Sequence, residues 1–147
     1  MLAEQMLLRA RERLVTIGAG ASVREAAKLM SKPHTDLVVA CDDDDRMVGV
    51  LTKNDIVRQM GQCDGSACAV QVDMIMTRGV TSCRPSEVLH DVWSVMKKGG
   101  LQRIPVIDDG GKPIGIIYAR DALQQLLGAS ESDEGLLRDY VMGVGYR

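Results

Sequence analysis

Phenylalanine is absent, and the 147 residues include one tryptophan and three tyrosines. These few aromatics are not interleaved with basic residues, and 18 Lys and Arg against 20 Asp and Glu leave a net charge of -2. A basic, stacking surface for direct nucleic-acid binding is therefore not expected. No apolar run is long enough to span a bilayer, and Glu4 interrupts the N-terminal stretch MLAEQMLLRARER where a signal peptide would be apolar. The expected location is the cytoplasm, with no membrane partner. The four cysteines, Cys41, Cys63, Cys68 and Cys83, lie 22, 5 and 15 residues apart, which fits neither a zinc ribbon nor a redox pair. With only His34 and His90 to join them, they read as free thiols, and no metal is assigned.

A 46% hydrophobic content does allow a continuous core at a length suited to one domain, and it excludes disorder as the main state. The organising feature is a repeat. Residues 14–60 align without a gap on residues 80–126 at an offset of 66, with Met30/Met96, Lys32/Lys98, Asp42/Asp108, Asp43/Asp109, Gly49/Gly115, Asp55/Asp121 and Gln59/Gln125 identical. Val23, Ala26, Ala27 and Met30 follow the i, i+3, i+4, i+7 spacing of an amphipathic helix, and Leu89, Val92, Trp93 and Met96 repeat it. A short strand-like stretch precedes each helix (Leu14–Ile17, Val80–Cys83), and an apolar run of buried-strand length follows (Leu37–Ala40, Ile104–Ile107). The polar turns Asp42–Asp45 and Asp108–Gly111 then lead into Met47–Leu51 or Pro113–Ile117, with a second helix from near Lys53 or Ala119. Four consecutive carboxylates beside Arg46 read as a solvated turn rather than a cation site.

The expected fold is α/β in the wide sense (α+β): two tandem βαββα repeats packed sheet to sheet with pseudo-twofold symmetry, plus N- and C-terminal helices. The divisions are a helix over 1–13, repeat one over 14–60, a linker over 61–78, repeat two over 79–127 and a C-terminal helix or tail over 128–147. Leu2, Met6, Leu7 and Leu8, with Leu136, Leu137, Tyr140 and Val141, are apolar residues outside the repeats. They motivate a homodimer.

After the hairpin, copy one reads Gly49-Val-Leu-Thr52-Lys53-Asn-Asp55 and copy two Gly115-Ile-Ile-Tyr118-Ala-Arg120-Asp121. A repeated βαββα unit whose last strand runs into Gly-x-x-[Ser/Thr]-x-x-Asp resembles the cystathionine-β-synthase (CBS) domain, and the pair resembles a Bateman module. The stretches Arg103–Asp108 and Val72–Thr77 resemble family segments too. The resemblance implies an adenosine-containing ligand, AMP, ADP or ATP, in clefts between the repeats, with S-adenosylmethionine or NADH as the other members of that class. It implies that the motif aspartate holds the ribose hydroxyls and the Ser/Thr lies near phosphate. It further implies that Thr16, Ile17 and Val39 carry the adenine.

Lys53, Arg103 and Arg120 are the candidate cations, since phosphate must lie away from the carboxylate and toward N–H groups and positive charge. Thr52-x-x-Asp55 is equally a helix capping box, and Asp121 equally a residue suited to a positive helix end. Tyr118 departs from the family pattern, where its ring either contacts a base or fills the site. No catalytic residue is assigned: His90-Asp91 sits on a helix away from any nucleophile or oxyanion site, so no enzyme and no catalytic cofactor are expected. The leading reading is a regulatory module that transmits occupancy to an unidentified regulated protein; a purely structural interaction module with an empty cleft is the alternative.

Overall fold

The strand–helix–strand–strand–helix order is realised in full in the first repeat, and without its first strand in the second, in the computed structural model, which describes residues 1–33, 35–62 and 70–129. Helix α1 (Leu7–Arg13) follows a 3-10 turn at Ala3–Met6. The first repeat comprises β1 (Thr16–Gly18), α2 (Val23–Met30), β2 (Leu37–Cys41), β3 (Met47–Thr52) and α3 (Lys53–Gln62). A 3-10 turn at Val72–Met74 leads on to α4 (Leu89–Gly99), β4 (Arg103–Ile107), β5 (Pro113–Tyr118) and α5 (Ala119–Ala129). The described residues form two compact units, one within Leu14–Val80 with Asp109–Pro113, the other within Met1–Arg13, Thr81–Asp108 and Ile114–Ala129. Among the described residues no helix is long and apolar enough to cross a membrane.

In the first unit β2 is central, parallel to β1 and antiparallel to β3. Cross-strand partners share a face, so the pairs Ile17↔Ala40 and Val38↔Leu51 turn one face inward. There they meet Ala26 and Met30 of α2 and Val72 and Met76 of the following segment. Helix α2 starts where Ser22 Oγ accepts the Glu25 N–H at 3.2 Å, a cap that replaces a lost backbone partner. The hairpin turn is built by Asp42, whose Oδ1 accepts the N–H groups of Asp44 (2.9 Å) and Arg46 (3.0 Å) while Asp45 adopts φ 62. Those bonds hold the Asp42 carboxyl below its ordinary range, the Arg46 N–H first among the causes.

In the second unit Leu89, Val92, Trp93 and Met96 of α4 and Ala122, Leu123 and Leu126 of α5 close on Ile104, Val106 and Ile117. Gly100, in the left-handed region at φ 65, ends α4.

Three features depart from expectation. Val80–Cys83 forms no strand: the parallel pairing shrinks to a single bridge between Cys83 and Val106, because the Arg84 N–H turns to Glu87 Oε2 at 2.6 Å just before Pro85. Strand β1 begins at Thr16 rather than Leu14. The N-terminal helix is not an appendage, since Ala3, Met6 and Ala10 are core residues of the second unit and Leu7 packs beside them, leaving Leu8 exposed. Ala10 presses on β5 so closely that a Cβ on Gly115 would stand 2.7 Å from its own. In the first unit the same relation recurs one repeat on: a Cβ on Gly49 would stand 2.7 Å from Met76 Sδ and 2.8 Å from the Thr77 carbonyl. The expected C-terminal helix, with Leu136, Leu137, Tyr140 and Val141, lies outside the described residues, as do His34, Cys63 and Cys68.

Candidate functional site

Strand β3 delivers Thr52 to the start of α3, and the Lys53 N–H donates to the Asp36 carbonyl at 3.2 Å; the Ala119 N–H donates to the Gln102 carbonyl at 2.8 Å in the corresponding place. The two motif copies therefore share a backbone frame down to the hydrogen bond. Within the first, Asp55 Oδ2 accepts the Thr52 N–H at 2.9 Å and Thr52 Oγ1 accepts the Asp55 N–H at 3.3 Å. This is a complete capping box, formed by protein groups alone. The other carboxylate oxygen, Oδ1, lies 3.5 Å from the exposed Arg58 guanidinium. A carboxylate accepts about four hydrogen bonds, so the cap leaves capacity for further donors.

Pairing in the sheet decides which other residues face this point. Thr16 pairs with Val39, Val39 with Val50, and Leu37 with Thr52, so Thr16, Val39, Val50 and Thr52 share the face opposite the inward one. Val39 is fully buried, Thr16 is exposed, and Lys53 extends into solvent at the helix start. Ile17 is the exception: its side chain joins Val38, Ala40 and Leu51 on the inward face, because neighbouring strand residues alternate. Only its backbone is available to the Thr16 side. Val50 was not among the sequence candidates, although the β3 alternation carries it.

The second copy brings Tyr118, Arg103, Arg120 and Asp121 together, around a residue that the motif does not contain. Arg13, the last residue of α1, lies with its Cζ 4.3 Å from the Tyr118 ring centroid; Arg103 and Arg120 lie at 5.4 and 5.7 Å. Guanidinium groups at these distances are attracted by the ring's negative face. Arg13 also pairs with Asp121 at 3.2 Å. Arg9, Arg13, Arg120 and Asp121 line a cavity of about 420 Å³. The signal for Arg13 was faint, as its partner lies 108 positions away and the repeat alignment begins only at residue 14.

Of the remaining candidates, Cys41 and Cys83 are free and buried. Burial, reinforced by Glu87, pushes the Cys83 thiol up to about 12, and burial followed by Asp45 and Asp42 raises that of Cys41. Neither is a reactive thiolate. His90 stacks at a tilt beside Trp93, 6.3 Å between centroids.

The sequence profile of the CBS domain matches residues 6–61 and again residues 71–128, so the chain belongs to the CBS-domain family as a tandem pair. Both matches begin upstream of the repeat as read from pattern, and they take in α1 and the Val72–Met76 segment. An uncharacterized 17.7 kDa protein of Acidianus ambivalens is 29% identical over 124 residues, covering 84% of this chain and 74% of that one. The L-aspartate semialdehyde sulfurtransferase of Methanocaldococcus jannaschii is 27% identical over 117 residues, 80% of this chain but only 22% of the enzyme. An uncharacterized protein of the same organism is covered over 36% of its length. Among solved structures, CBSX2 in complex with AMP superposes with a TM-score of 0.74 at 22% identity, over 87% of this chain and 97% of that one. The CBS domain pair of protein MJ0100, in complex with 5'-methylthioadenosine and S-adenosylmethionine, gives 0.70 at 25% identity, over 88% and 97%. These likenesses establish an α+β tandem CBS fold.

Proposed function

We propose that the chain is a non-catalytic regulatory module that binds an adenine nucleotide, AMP, ADP or ATP, at the first motif copy and transmits occupancy to a partner protein. The observation that carries this reading is the Asp55 carboxylate, which is fixed in place by the Thr52 cap with acceptor capacity left over, beside a sheet face on which Thr16 is exposed and its partner Val39 is buried. In this arrangement Asp55 receives the ribose hydroxyls, and Thr16 flanks the adenine. Phosphate is drawn toward Lys53 and the N-terminus of α3. The solved CBS pairs that hold AMP, or 5'-methylthioadenosine with S-adenosylmethionine, support the ligand class.

A second reading, in which the ligand is S-adenosylmethionine, draws on the MJ0100 pair. A structural module with no ligand draws on the capping box, which already satisfies its backbone donors. Calorimetry of AMP against the wild-type chain and Asp55→Asn separates the cap from the site. Asparagine keeps an acceptor for the Thr52 N–H but loses the charge, so affinity should fall by a factor of ten or more while the melting temperature holds. Unchanged affinity in Asp55→Asn assigns the residue to capping alone.

A further inference from the structure

The two motif copies part ways at the residue that meets the aspartate. Asp121 has both oxygens engaged by Arg13: Nε donates to Oδ2 at 3.3 Å, and Nη2 lies 3.2 Å from Oδ2 and 3.4 Å from Oδ1. The ring of Tyr118 backs the same guanidinium, and the Arg13 and Asp121 side chains keep only 16% and 9% of their exposure. One repeat on from Arg13, at the offset of 66, the chain has Gly79, with φ +66 and nothing within 4 Å of where a Cβ would stand. No side chain at that position can reach Asp55.

We propose that Arg13 is a built-in occupant of the second carboxylate, which closes that copy to an adenosine ligand and leaves one working site per chain, at Asp55. The inference rests on the reading that a motif aspartate receives a ribose diol. A vicinal diol approaches a carboxylate with two O–H donors, much as a guanidinium approaches with two N–H donors, and the same oxygen lone pairs cannot serve both. Arg13 holds the advantage twice over. Its donor is a cation, so it adds a charge–charge attraction to the carboxylate that a neutral diol lacks. Its contact is also intramolecular, so it loses no translational freedom on forming, as a free ligand must. Expelling Arg13 would disturb the end of α1, whose Ala10, with Ala3 and Met6 of the preceding 3-10 turn, is packed in the core of that unit. Tyr118 fits the same account, because the face of its ring that carries the Arg13 guanidinium is not open to a base.

The test is the stoichiometry of AMP, and separately of S-adenosylmethionine, in calorimetry of the wild-type chain, Arg13→Gly and Arg13→Gln. Glycine is what the first copy has at this position; glutamine keeps part of the apolar stem and removes the charge, so it decides the matter where glycine costs the fold. The expected result is one ligand per wild-type chain and two per variant chain, the second bound at least tenfold more tightly than any second event in the wild type. Two equal sites in the wild type, or one site still in natively folded variants, overturns the proposal while the nucleotide reading stands. One site in the variants and none in the wild type supports the role of Arg13 and removes the Asp55 assignment. No binding by any of the three chains overturns both.

Discussion

Asp55 is given two tasks, and the geometry of its carboxylate allows them to be pulled apart. One oxygen closes the cap on α3, and loss of such a cap costs about 0.5–2 kcal/mol. In the absence of ligand, Asp55→Ala should therefore lower stability by about 1 kcal/mol, whereas Asp55→Asn should stay within about 0.5 kcal/mol of the wild type, as urea titration would show. An equal loss in both variants would mean that the charge, rather than the acceptor, supports the helix end. The Thr52-to-Asp55 pattern was legible in the sequence because both of its roles are local, spanning three residues. For the same reason the sequence alone left cap and ligand contact undivided. Arg13 was not legible in this way. Its function follows from a contact 108 residues distant, and the matching position in the other copy is a glycine, so no repeated pattern points to it.

At the scale of elements, helical and strand periodicity located α2, β2, β3, α4, β4 and β5, since each turns a continuous apolar set toward a core. Position failed where a segment's partner is remote. The N-terminal helix read as a spare apolar surface, yet it covers the second unit, and the Val72–Met76 segment covers the first in the corresponding way. Both contacts run over the motif glycine, which is the physical reason that Gly49 and Gly115 recur. At Gly115 an added methyl would meet Ala10 Cβ at 2.7 Å and the Ala10 carbonyl carbon at 3.1 Å, so side-chain rotation cannot relieve it. Gly115→Ala should cost about 1–3 kcal/mol, the range for overpacking, and lower the melting temperature by several degrees. Gly20→Ala, where an added Cβ has nothing within 4 Å, serves as the control and should leave melting nearly unchanged. Equal melting temperatures for the two variants would show that α1 yields easily and does not pin β5.

Among the described residues the two units share a helix–strand–strand–helix run but differ in surface. Leu123 and Leu126 of α5 are buried, but their counterparts one repeat back, Val57 and Met60 of α3, are 68% and 56% exposed. That difference, rather than the N-terminal helix, now motivates the homodimer: a second copy would cover α3, and light scattering should return about twice the 16.0 kDa chain mass. A monomer at tens of micromolar would rule it out, and Val57→Lys should dissociate a dimer held there. A dimer also offers a route for the signal, provided that nucleotide binds two arrangements of the chain unequally. The central claim, that an adenosine ligand selects the folded chain, is tested most directly by thermal melting with AMP, ADP, ATP, GTP, S-adenosylmethionine and NADH. A ligand at about 100 times its Kd adds roughly 2.7 kcal/mol to the folded state, which is several degrees for a chain of this size. The account predicts such a rise with at least one adenine nucleotide and none with GTP; no shift with any of the six would contradict it.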